Sequence, residues 1–173
     1  VPQVGDCDDG RGFWLSESVS FFDYRGWLAA GALEFNRPDF IRAAEGANEE
    51  ALWFMGQENW DKLQSLRADS EPRKSVHFVD GGHCILRTGD SAHDTYLFVR
   101  CGEFGLGQDG SSAHSHGDLL APAIHWKGRP LFVDPGTYHY YGPTAERDAM
   151  RSVSVHNNAS PVGVEVAQMF KIW

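Results

Sequence analysis

The chain lacks any apolar run approaching the roughly 18 residues that a membrane-spanning helix requires. It also lacks an excess of positive charge: 15 Lys and Arg stand against 24 Asp and Glu, a net charge of −9. Non-specific nucleic-acid binding needs clustered cations for the phosphates, so that class is excluded. An anionic ligand would have to find a local basic patch. Cysteine is scarce, three in 173 residues, and Cys7, Cys84 and Cys101 show no zinc-ligand spacing such as CxxC. Buried or free thiols are expected, with a Cys84–Cys101 bridge between neighbouring strands as the alternative. Internal repeats, low-complexity tracts, a signal peptide and an initial Met are all missing. With a last segment, "QMFKIW", that reads as a strand cut short, this is the pattern expected of a mature or excised fragment.

What is present is enough apolar and aromatic content, 42% and 13%, to build a core. Residues 15–66 read as helices. "SESVSFFDYRGWLAAGALEF" offers Ser16 and Ser18 as N-caps, followed by apolar residues at helical spacing. "RPDFIRAAEG" has Pro38 at a helix start and Gly46 at its stop. "NEEALWFMGQENWDKLQSL" has Asn48 as its cap, with Leu52, Met55 and Trp60 on one side. The polar "RADSEPRKS" then marks a boundary, and the period changes to two. "SVHFVDGGHCILRTG" and "DTYLFVRCG" read as strands, and "LLAPAIHWKGRPLFVDPG" as a hairpin around Lys127-Gly128. The expected fold class is α+β: a helical segment over residues 1–70, then an antiparallel β domain of sandwich or barrel type over 71–173.

The polar motifs fall in the β half. "AHSHGD" places His114 and His116 one residue apart, with Asp118 two residues later. "VDPGTY" supplies Asp134 and Tyr138, and "VHNN" supplies His156 and Asn157. Zinc takes three or four ligands from neutral imidazoles and carboxylates, and His114, His116, Asp134 and His156 offer that chemistry. Each also has a plain structural use. An HxH in a loop often binds nothing, and an Asp before Pro-Gly commonly forms a turn. If HSHGD simply prolonged the strand at 119–126, His116 would lie roughly 17 Å from the point opposite Asp134. A shared metal therefore requires the loop to fold back.

"HSHGDLLAPAIHWKGRPLFVDPGTYHYYG", followed by "RDAMRSVSVHNN", resembles the C-terminal β-domain signature of heparinase II/III-like polysaccharide lyases. The likeness runs over about residues 76–160, with several separated motifs in order, and "GDCDDGRGF" is similar to a segment such proteins carry near the end of their helical domain. The resemblance implies the last helices of an α/α toroid followed by an antiparallel β-sandwich. It implies β-elimination next to a uronic acid in an acidic polysaccharide or oligosaccharide, and a periplasmic or secreted location. It implies that His114 is catalytic, and that His116, Asp134 and His156 hold one structural zinc that pins the loop carrying His114. From "GTYHY", Tyr140 is a candidate proton-transfer group and Tyr138 a cleft residue, each with plain packing as the alternative. Arg151 is a candidate bidentate contact for an acidic sugar, or else an ion pair at the sheet edge. Asp118 would fix the tautomer of a ligating histidine or cap a turn, and Asn157 is structural. The toroid residues the family also uses have no identifiable counterpart, so weak or no activity is expected of the fragment itself.

Competing readings are a non-catalytic, zinc-stabilised glycan-binding module and, less favoured, a cupin-like metal enzyme. The latter wants a Glu a few residues after HxH, where only Asp118 stands. "DCDDG" hints at calcium, but its Gly comes one residue early for an EF-hand. Trp14, Trp27, Trp53 and Trp60 are expected in the helical core.

Overall fold

A computed structural model describes residues 2–7, 10, 12, 14–17, 19–68, 71–91, 93–105 and 112–166. The chain divides into two compact units, Asp9–Pro72 and a second made of Val1–Asp8 with Arg73–Trp173. Among the described residues no helix is long and apolar enough to cross a membrane.

The first unit holds three helices, α1 (Arg25–Glu34), α2 (Pro38–Ala44) and α3 (Glu49–Ser65). Pro38 opens α2, where its missing N–H is not needed. The Asn48 side chain caps α3 by accepting from Ala51 N–H at 3.1 Å. Gly56, with φ of 74°, puts a kink inside α3. The start expected at Ser16 is corrected: α1 begins at Arg25, with no side-chain cap. Ser16 instead donates its hydroxyl to Glu49 at 2.8 Å, and Ser18 lies outside the described residues. The core is mostly alanine, with Ala29, Ala32, Ala44 and Ala51 beside Ile41 and Leu63. Helices that meet through alanines leave little room for indoles between them. Trp14, Trp27 and Trp53 are accordingly exposed, against expectation, and Trp60 packs on the rim of the core.

The second unit is built on one five-stranded antiparallel sheet in meander order: β1 (Val76–Phe78), β2 (His83–Arg87), β3 (Tyr96–Arg100), β4 (Ala123–Trp126) and β5 (Arg129–Phe132). The sheet does not close on itself, so the architecture is α+β with a single open layer among the described residues. β4 and β5 meet at the expected hairpin, where Lys127 and Gly128 both take positive φ, 49° and 77°. That is the backbone of a type I′ turn, whose twist suits a two-residue connection. β3 is the central strand, and Phe98 and Arg100, two residues apart on one face, are both buried. Cys84 pairs with Val99 rather than with Cys101, and no disulfide joins those two cysteines. After β5 the chain forms a fourth helix, α4 (Thr144–Arg151), and a 3₁₀ turn at Val153–Val155 that delivers His156. α4 was not expected from the sequence.

Candidate active site

The segment between β3 and β4 carries HSHGD, and it does fold back. Gly117 N–H donates to the Arg151 carbonyl at 2.8 Å, and Leu120 N–H donates to the Arg100 carbonyl at 2.9 Å. A Cβ on Gly117 would stand 2.6 Å from Val153 N, so only glycine permits this approach. Asn158 holds the same turn from outside, donating its amide to the Gly117 carbonyl at 2.6 Å. Asp118 is buried and bridges Arg100 at 3.1 Å and Gly5 N–H at 3.0 Å. It therefore braces the loop against the sheet, and the expected contact from Asp118 to a histidine is replaced by this pair. Arg147 and Arg151 lie four apart on α4 and so share one face. Arg151 is only 6% exposed, and its guanidinium donates to the carbonyls of Ser115 (3.1 Å) and Ser112 (3.4 Å). It stands beneath the loop as a latch, where a sugar contact was expected.

The N-terminal residues complete the loop from the other side. Asp6 N–H donates to the His114 carbonyl at 2.9 Å, and Cys7 N–H donates to Thr137 Oγ1 at 2.6 Å. The Asp6 side chain, 2% exposed, then meets three partners. Oδ1 lies 2.9 Å from His116 Nε2, while Oδ2 lies 3.2 Å from His114 Nδ1 and 3.0 Å from Arg147 Nη2. Burial alone would raise the Asp6 carboxyl, but the hydrogen bonds from His116 and Arg147 prevail and hold it below the ordinary carboxylate value. Burial pushes the His116 ring below the ordinary imidazole value, with Asp6 opposing, so His116 is neutral at physiological pH. Sequence reading missed both Asp6 and Arg147. "DCDDG" reads as a failed calcium loop and as part of a segment similar to one in the family, neither of which points to a contact with HSH, and Asp8 and Asp9 of that stretch lie outside the described residues.

The two histidines of HSH have opposite environments. The side chain of His116 is 0% exposed and that of His114 is 70% exposed. The Tyr140 hydroxyl stands 3.2 Å from His114 Nδ1, the two rings are nearly parallel with centroids 6.1 Å apart, and the Arg147 guanidinium lies 5.4 Å from the Tyr140 ring centre. Tyr138 does not join them. It is exposed, has φ of 62°, and its ring leans on His139 with 4.0 Å between centroids.

His156 comes to within 5.6 Å of His116, ring centre to ring centre. Its Nδ1 is 2.8 Å from Asp134 Oδ2, and Asn157 ties the neighbouring backbone down by donating to the Val133 carbonyl at 2.8 Å. No three His, Cys, Asp or Glu side chains converge as a ready metal cage among the described residues. A narrower fit to a metal is nevertheless present. A carboxylate only accepts, so His156 Nδ1 and His116 Nε2 carry the ring protons. The opposite nitrogens, His116 Nδ1 and His156 Nε2, are then lone pairs, and both are buried without a hydrogen-bond partner among the described residues. Buried polar atoms are rarely left so, and a carboxylate behind each ring is the usual support of a metal-binding imidazole.

The chain thus carries a small helical unit followed in sequence by an open antiparallel sheet, with a buried histidine pair and an exposed third histidine beside a tyrosine in the sheet unit. The family model described as heparinase II/III-like, C-terminal, matches residues 70–170, and the chain belongs to that family. Among solved structures, a heparinase III with methylated lysines aligns at TM-score 0.58 and 18% identity, over 90% of this chain and 20% of that one. The heparan sulfate lyase HepC from Pedobacter heparinus aligns at TM-score 0.57 and 17% identity, over the same shares. The chain thus spans about one fifth of the length of these structures. At such identity the likeness shows the shared fold. No curated protein matches the chain.

Proposed function

We propose that this chain supplies the histidine-bearing face of a polysaccharide lyase that cuts uronic-acid-containing glycans, of which heparan sulfate is the leading candidate, by β-elimination. The observation that carries the reading is the exposed His114 ring beside the Tyr140 hydroxyl, 3.2 Å away, on a loop latched from beneath. In the reaction His114 takes the proton at C5 of the uronate, and Tyr140 gives a proton to the departing O4 oxygen. Charge spreading into the uronate carboxylate needs nearby donors, and the rest of that constellation belongs to a longer protein. Tyr138, exposed at the same end of the "GTYHY" segment, is proposed to line the cleft. The location proposed is periplasmic or secreted. Family membership replaces the cupin-like reading.

A zinc ion would be held by the free ring nitrogens of His116 and His156, with Asp134 bonded to His156. Its contribution would be to clamp the HSHGD loop to the segment after α4. Elemental mass spectrometry of protein purified without chelators is expected to give about one zinc per chain, lost in His116→Ala together with several degrees of melting temperature. Zinc-free wild-type protein would remove the metal from the proposal and leave His116 as a plain core histidine. For the reaction, unsaturated-uronate absorbance from heparan sulfate should be weak or absent with the isolated chain. It should appear with the longer protein and fall by at least about 10²-fold in His114→Ala. Tight glycan binding with no product from the longer protein would instead favour a non-catalytic, zinc-stabilised glycan-binding module.

A further inference from the structure

We propose that the buried Asp6 carboxylate is the positioning residue of the HSH loop, assigning opposite tautomers to His114 and His116 and thereby opposite tasks. This rests on the reading of His114 as the proton-transferring histidine. Asp6 Oδ1 faces His116 Nε2 at 2.9 Å and Oδ2 faces His114 Nδ1 at 3.2 Å. An ionised carboxylate has no proton to give, so both of those ring nitrogens must donate. His116 therefore keeps its lone pair on Nδ1, inside the protein, and His114 keeps its lone pair on Nε2 of an exposed ring.

The sequence offers two equivalent imidazoles one residue apart, and a single carboxylate distinguishes them. Which ring nitrogen is protonated is set by the bond the other one makes. A base that must attack through Nε2 is disabled when the proton sits there instead. The same geometry affects Tyr140. Its oxygen is 3.2 Å from His114 Nδ1, but that nitrogen already carries a proton directed to Asp6. The phenolic hydroxyl therefore cannot donate to Nδ1.

Asp6 is well held for this role. Its own N–H bonds the His114 carbonyl at 2.9 Å. Its neighbours Gly5 and Cys7 bond Asp118 at 3.0 Å and Thr137 at 2.6 Å. Arg147 Nη2, 3.0 Å from Oδ2, supplies the compensating charge. Asparagine at position 6 would keep the shape, but it has one acceptor oxygen where three donors now converge.

The test is long-range proton–nitrogen NMR of the imidazole rings in the intact chain, in mildly alkaline buffer where free imidazoles are neutral. It needs no substrate, so it stands apart from whether the protein is a lyase. Wild-type protein should show His114 protonated on Nδ1 and His116 on Nε2. Tyr140→Phe should leave His114 unchanged, whereas Asp6→Asn should move the His114 proton to Nε2 in the major species. His114 protonated mainly on Nε2 in wild type would overturn the proposal. So would a His114 tautomer that follows Tyr140→Phe, or one that ignores Asp6→Asn. If Asp6→Asn does not fold, the wild-type and Tyr140→Phe spectra still decide.

Discussion

The helical unit and the sheet unit bury opposite kinds of side chain. In the helical unit the buried set is Ala29, Ala32, Ile41, Ala44, Ala51 and Leu63, with Ser16 and Glu50 as its polar members. In the sheet unit the buried apolar set shrinks to Phe98, Ala123 and Val153, while Arg100, Ser115, His116, Asp118, Thr137, Arg151 and His156 are all buried. The first unit is held by apolar area removed from water, which is non-directional and tolerant. The second is held by directed bonds among charged and polar groups, which lose their value when one partner is removed. A site that must hold His114 at a fixed place and tautomer needs the second kind of construction.

The sharpest way to break this contrast is Asp118→Ala. It leaves Arg100 buried without its Asp118 counter-ion, its guanidinium still donating to the Glu103 carbonyl at 3.1 Å, and removes the acceptor of Gly5 N–H. Loss of one partner of a buried pair destabilises by about 3–5 kcal/mol. Urea denaturation should show that loss, and hydrogen exchange at Gly5 should accelerate markedly. A loss under about 1 kcal/mol would mean that water replaces the carboxylate, and the sheet unit would then not be the more brittle of the two.

Next in size is Leu63→Ala, the counterpart in the helical unit. Leu63 is the largest apolar side chain fully buried there. Such truncations destabilise by about 2–5 kcal/mol, depending on how far the site collapses. An alanine-lined core on three short helices can close in, so the low end is expected. Intrinsic fluorescence should report it, since Trp14, Trp27, Trp53 and Trp60 all lie in this unit. A loss exceeding that of Asp118→Ala would reverse the ranking.

The same contrast explains what was legible in the sequence. Features fixed by neighbours along the chain were readable: Pro38 opening α2, the Lys127-Gly128 turn, and the strand runs that became β1 to β5. Features fixed across the chain were not. The bond from Asp6 to His116 joins residues 110 apart, and nothing local to either residue foretells it. Arg151 carried a charge that suggested an anionic sugar, yet its place was set by two carbonyls on a loop 36 and 39 residues earlier. The return of HSHGD towards His156 depended on Gly117 meeting the backbone at Val153, which no spacing in the sequence encodes. α4 has no local signature strong enough to stand out, because its eight residues sit among motifs that read as a β domain.

The smallest effect sharpens the comparison from the local side. Asn48→Ala removes the acceptor for Ala51 N–H, one of the four orphan donors at the start of α3. Caps of this kind contribute about 1 kcal/mol, and glycine at the same position recovers most of it by letting water reach the donor. Thermal melts should therefore place Asn48→Gly between wild type and Asn48→Ala, with all three within a few degrees. The imidazole spectrum of His114 should be unmoved in both variants, because the cap acts on its own helix. A change in that spectrum would show that the two modes of construction are coupled, and the contrast between a tolerant helical unit and a brittle sheet unit would have to be given up.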